Sequence, residues 1–159
     1  AAELVRRAVS MKAEVVAGDP EEAGRRAVLN FGHTLGHALE ATSGFAGLHG
    51  EAVAAGMCLE ARWGEELGVT EPGTADRLRS LLGACGVRPW PVGRHEAEDL
   101  LEAARHDKKT RRETPRLVLL ERVGRVARPP GGGWTRPADE ERLRRWLPGA
   151  LRSEAETTD

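Results

Sequence analysis

The sequence predicts a mainly α fold, a helical bundle with one small β-hairpin. Three observations carry this. Helix formers (Ala, Leu, Arg and Glu) dominate the 159 residues, while aromatics make up only 4% and tyrosine is absent. Apolar residues recur at helical spacing through most of the chain. Strongly β-branched stretches are nearly absent until residue 117.

Taken in order, "AAELVRRAVSMKAEVVAG" is the first helix: Leu4, Ala8, Met11 and Val15 share a face, and Gly18 ends the pattern. "DPEE" restarts a helix. Asp19 suits an N-cap, Pro20 the first helical position, and Glu21 and Glu22 the positive end of the dipole. This segment is expected to run through "AGRRAVLN", and either it or a new helix carries "GHTLGHALEAT". "SGFAGL" is a glycine-punctuated loop, and the longest, most buried helix is expected over approximately 49–67. "TEPGTADRLRSLLGACG" reads as an amphipathic helix opened by Thr70 or Thr74 and closed by Gly86. "VRPWPVG" is a proline-stiffened connector, and "RHEAEDLLEAARHDKK" is another helix. "RLVLLERVGRVA", residues 116–127, is the hairpin, and "RPPGGGWTRP" is a turn-rich linker. "ADEERLRRWLPGAL" is a final short helix. One domain is expected over 1–150, with 151–159 a polar, frayed tail.

Composition narrows the function. Charged residues nearly cancel, leaving a net charge of -1, which argues against nucleic-acid binding by bulk electrostatics and against a cationic membrane-surface protein. The longest apolar runs, such as "AVAAGMCL", are too short to span a bilayer. Cys58 and Cys85 lie inside apolar helical patterns rather than in a paired motif. They are expected to be buried free thiols in a reducing compartment, and the cytoplasm is the expected location.

The chemistry concentrates in "LNFGHTLGHALE" and the "LHGE" that follows. His33 and His37, four residues apart, share a helix face, and His49 opens the next helix, so three of the five histidines fall within 17 residues. Such a set suits a metal, although satisfied core or cap histidines would give the same spacing. A zinc peptidase motif would need glutamate after the first histidine, and Thr34 stands there. Cations gather at Lys12, Arg25, Arg26, Lys108 and Lys109. Beside a metal site they would suit a phosphate or carboxylate substrate, arginine binding it bidentately and lysine as a point charge. Lys12 stands next to Met11 among positions that read as buried.

With these residues in hand, "KAEVVAGDPEEAGRRAVLNFGHTLGHALE" followed by "LHGEAVAAGM" resembles the metal-binding region of the 3-dehydroquinate synthase family of sugar-phosphate cyclases. The likeness continues through "ARHDKKTRRETPRLVLLERVGRV". It implies the helical C-terminal domain of a two-domain enzyme that converts 3-deoxy-D-arabino-heptulosonate 7-phosphate to 3-dehydroquinate and phosphate. The cofactors implied are a divalent metal, zinc or cobalt, and NAD, which is held mainly by an N-terminal domain. A homodimer is implied for the complete enzyme.

Position by position, the resemblance makes His33 and His49 metal ligands and His37 a substrate-side catalytic histidine. Lys12 becomes a second catalytic group, and Arg26, Asn30 and one of Lys108 and Lys109 become substrate-binding. The family's third zinc ligand, a glutamate in an upstream "Glu-Val-Ile-Lys" segment, and its NAD domain have no counterpart here. The chain is therefore expected to be the latter part of such a synthase and inactive alone. Two alternatives are a sibling cyclase acting on another sugar phosphate and a non-catalytic zinc-binding helical module.

Overall fold

A computed structural model of the chain describes residues 2–21, 24–106 and 114–156. The fold is mainly helical, as expected. Helix α1 (Ala2–Gly18) leads to a 3-10 helix (Arg25–Asn30), then α2 (His33–Thr42), α3 (His49–Glu66), α4 (Thr74–Ala84) and α5 (Ala97–His106). Four short strands follow, β1 (Arg116–Leu117), β2 (Leu120–Arg122), β3 (Arg125–Val126) and β4 (Arg136–Pro137), and α6 (Glu140–Glu156) closes the chain. Helix α3 is the spine: α2 and α4 pack along it, α5 packs on α2, and α6 packs on α5 and α3.

The core forms where the apolar faces meet. Leu35 and Leu39 of α2, Leu59 and Trp63 of α3, Leu100 and Leu101 of α5 and Leu143 and Leu147 of α6 are all at most 1% exposed and form one cluster. At about 1.5–3 kcal/mol per fully buried large side chain, this cluster is the main favourable contribution to folding. Trp63 stacks at a tilt on Trp146, with ring centroids 5.1 Å apart. At the far end of α3, the buried Glu154 carboxylate of α6 is met by the guanidinium groups of Arg62 (2.8 Å) and Arg79, which ties α6 to α3 and α4.

The small strands fasten the helices. In the expected hairpin, Leu120 pairs with Val126 and Arg122 with Arg125 across a turn that holds Gly124 at φ 85°. The Thr70 hydroxyl donates to the Leu120 carbonyl (2.6 Å) and the Thr34 hydroxyl to the Arg116 carbonyl (2.9 Å), so the strands bind the α3–α4 loop and the start of α2.

Five expectations change. The segment restarted by "DPEE" is no α-helix among the described residues. Asp19 does cap, but it accepts the Gly24 and Arg26 amides, both at 2.8 Å, at the head of the 3-10 helix. The turn-rich linker contains β4, which pairs antiparallel with β1. The expected polar tail is helical as far as Glu156, because Leu151 (4% exposed) and Glu154 (2%) are buried and hold it down. Helix α1 buries no residue, so Lys12 stands exposed among exposed neighbours. Both cysteines are free, but only Cys58 is buried; Cys85 is exposed. Among the described residues, no helix is long and apolar enough to cross a membrane.

Candidate metal centre

The site is made by the crossing of α2 and α3. Two glycines set how closely these helices approach. A Cβ on Gly56 would lie 2.1 Å from the Gly32 carbonyl oxygen, and one on Gly36 would lie 2.9 Å from the Val53 Cα. With no side chain between them, the backbones touch, and the first turn of α3 stands beside the first turns of α2. His33 opens α2, His37 follows one turn later on the same face, and His49 opens α3. One ligand nitrogen from each of the three lies within 4.8 Å of the others. The ring centroids are 5.4 Å (33–37), 5.6 Å (33–49) and 5.6 Å (37–49) apart.

Hydrogen bonds orient two of these rings. His33 Nδ1 lies 3.2 Å from the Phe31 carbonyl oxygen, which can only accept, so Nδ1 is the donor and Nε2 is the nitrogen able to ligate when the ring is neutral. His49 Nδ1 lies 3.0 Å from Glu40 Oε2, so a proton shared there sits on Nδ1 and Nε2 is the nitrogen able to ligate. An imidazole that donates one ring N–H to a carbonyl or carboxylate and offers the other nitrogen is the usual arrangement of a metal-binding histidine. His49 is exposed and His33 and His37 are half-buried, so the cluster sits at the surface with its open side toward solvent. Three imidazoles from two helices, two of them with Nδ1 on an acceptor, fit a divalent ion of the zinc or cobalt type.

Beneath the cluster lies a group the sequence reading passed over. Glu60 of α3 is 0% exposed, and its carboxyl group accepts the Gly32 amide at 2.8 Å and the Leu35 amide at 3.3 Å. Burial pushes its pKa up to about 8, against the opposing pull of the Gly32, Leu35 and Thr34 amides. A glutamate inside the apolar run "AAGMCLEARWG" was the available signal. Glu40 was legible in the same way: it lies three residues after His37 and seven after His33, on their helix face.

The cationic residues are arranged less tightly. Arg26, in the 3-10 helix, donates from Nη1 to the Pro20 carbonyl (2.9 Å), and Asn30 ends that helix, exposed, three residues before His33. Lys12 is on α1, which packs chiefly against the same 3-10 helix. Lys108 and Lys109 lie outside the described residues. A hollow of about 670 Å³ adjoins His37 and is lined by Glu40, Phe45, Asp99 and Glu102 among others.

With this geometry established, the chain can be set beside known proteins. A family model described as 3-dehydroquinate synthase C-terminal matches residues 1–110. The 3-dehydroquinate synthase of Dehalococcoides mccartyi (strain CBDB1) is 43% identical over 122 residues, covering 77% of this chain and 34% of that protein. The synthase of Nocardia farcinica is 42% identical over 126 residues, covering 79% and 34%. The chain thus spans about a third of the length of the curated relatives it matches. A crystal structure of 2-deoxy-scyllo-inosose synthase, complexed with carbaglucose-6-phosphate, NAD+ and Co2+, shares the fold. Its TM-score is 0.73 at 23% identity, covering 89% of this chain and 40% of that one.

Proposed function

We propose that this chain, which belongs to the 3-dehydroquinate synthase C-terminal family, is the metal- and substrate-binding part of an enzyme that converts 3-deoxy-D-arabino-heptulosonate 7-phosphate to 3-dehydroquinate and phosphate. The observation that carries this reading is the convergence of His33, His37 and His49 on one point at the α2–α3 crossing. Relatives 41–43% identical and named 3-dehydroquinate synthase support the choice of reaction.

On this reading His33 and His49 would hold a divalent ion, zinc or cobalt. A bound ion would supply Lewis acidity and NAD reversible hydride transfer, with no net redox change. His37, on the substrate side, accepts a proton at a ring nitrogen and returns it, or holds a phosphate oxygen that does so. Lys12 is the second catalytic group, Arg26 and Asn30 bind the phosphate or carboxylate end, and one of Lys108 and Lys109 adds a further charge there. Asp19 accepts the Arg26 backbone amide and holds that residue at the head of the 3-10 helix. NAD is held mainly by a domain outside this chain, so the chain alone does not turn over.

Phosphate release from the heptulosonate phosphate, with NAD and Zn2+ or Co2+ present, tests this. The complete enzyme containing this chain is expected to be active and the chain alone inactive. Turnover by the chain alone would overturn the division of labour, and faster turnover of another sugar phosphate would favour a sibling cyclase. The likeness to the inosose synthase favours that second reading only at the level of fold. His37→Ala is expected to leave folding and metal content in place while activity of the complete enzyme falls by about 100-fold or more. Lost folding or lost metal in that variant would point instead to a structural zinc module.

A further inference from the structure

Helix α2 carries two of the three histidines, yet it lacks a cap of its own. Its N-cap is Gly32, held at φ 80° with no side-chain cap. A larger residue is barred there, because a Cβ would lie 2.3 Å from Met57 Cγ and 2.8 Å from the Val53 carbonyl oxygen. The close crossing that brings the histidines together thus excludes the Ser, Thr, Asp or Asn that would normally satisfy the first amides of the helix. Those amides are satisfied from α3. Glu60 Oε2 accepts the Gly32 N–H at 2.8 Å and Oε1 the Leu35 N–H at 3.3 Å.

Resting on the reading of the cluster as a metal centre, we infer that Glu60 is a positioning residue for it, capping α2 from α3 and fixing the backbone on both sides of His33. Its partners among the described residues are all backbone N–H groups. The bonded amides of Gly32 and Leu35 lie on either side of His33, whose ring is in turn oriented by the Phe31 carbonyl. His49 opens the same helix that carries Glu60. One side chain therefore sets His33 and His37 against His49, without touching the ion.

Zn2+ titration calorimetry and the visible spectrum of bound Co2+, read beside unfolding free energies, test this on the wild type, Glu60→Gln and Glu154→Gln. Glu154 is the control, equally buried but held by Arg62 and Arg79. The amide nitrogen of a glutamine cannot accept an N–H. Glu60→Gln is expected to weaken metal binding about tenfold or more and to shift the Co2+ bands. Glu154→Gln loses stability but keeps wild-type affinity and spectrum.

Unchanged affinity and spectrum in Glu60→Gln would overturn the inference. So would a loss of affinity in both variants that simply tracks their stability. If Glu60→Gln does not fold, Glu60→Asp, which keeps the carboxyl group on a shorter arm, is expected to show the same spectral shift; a wild-type spectrum and affinity there would overturn the inference. A wild-type chain that binds neither ion would overturn the metal reading itself.

Discussion

The α2–α3 crossing and helix α1 are written in similar residues and end in opposite surroundings. Leu35, Leu39 and Leu59 at the crossing are 0–1% exposed, whereas Leu4, Val5, Val9 and Met11 of α1 are 56–67% exposed. An apolar stripe at helical spacing states which side of a helix favours burial; it does not supply the surface that buries it. At the crossing that surface exists because Gly36 and Gly56 let the backbones meet. Along α1, among the described residues, the chief contact is a single 3-10 helix. The three histidines accordingly gather at the crossing, held by two helices, whereas Lys12 rides on the exposed helix.

Four substitutions would sharpen or break this contrast, in descending order of expected effect. Leu59→Ala, at the centre of the crossing, should cost about 3 kcal/mol through lost burial and the cavity left behind. Urea unfolding followed by tryptophan fluorescence measures it, and a loss under about 1 kcal/mol would mean the crossing is loosely packed. Gly56→Ala should cost about 2 kcal/mol, because the new methyl group meets the Gly32 carbonyl rather than a side chain that could move aside. It should also disturb metal binding, since separating the helices separates His49 from His33.

Glu40→Gln should weaken Zn2+ binding about tenfold, equivalent to about 1.4 kcal/mol, by loosening the orientation of the His49 ring. Calorimetry reads this directly, and unchanged affinity would show that Glu40 does not orient a ligand. Met11→Ser on α1 should change stability by no more than about 0.5 kcal/mol, as an exposed substitution does. A loss above about 1.5 kcal/mol in the same urea experiment would show that α1 is buried in solution and would erase the contrast.

Much of the fold was legible because its signals are local. Apolar periodicity marked the helices, Gly18 and Gly86 marked the ends of α1 and α4, and two short apolar runs around Glu121 to Gly124 marked the hairpin. What escaped depended on distant partners. Asp19 reads as the cap of an adjoining helix, but its acceptor oxygen serves amides five and seven residues on. "RPPGGGWTRP" reads as turn, yet Arg136 and Pro137 find Leu117 and Arg116 across the fold. "RSEAET" reads as solvated tail until Arg62 and Arg79 make Glu154 a buried anchor. In the site, the histidines stood out by type and spacing. Glu60 did not, because a glutamate in a helix is ordinarily on the solvated face.

By itself, the sequence determined the helical class, the place of the hairpin, the family and the three imidazoles that form the cluster, since each rests on residue type and short-range order. Only the tertiary structure decided which apolar faces are covered and which nitrogen of His33 and His49 meets an acceptor. It also decided that the cap of α2 comes from α3, because these depend on backbones brought into contact by glycines about 20 residues apart, Gly36 and Gly56. Local sequence sets what each helix can offer. The crossing decides which offers meet.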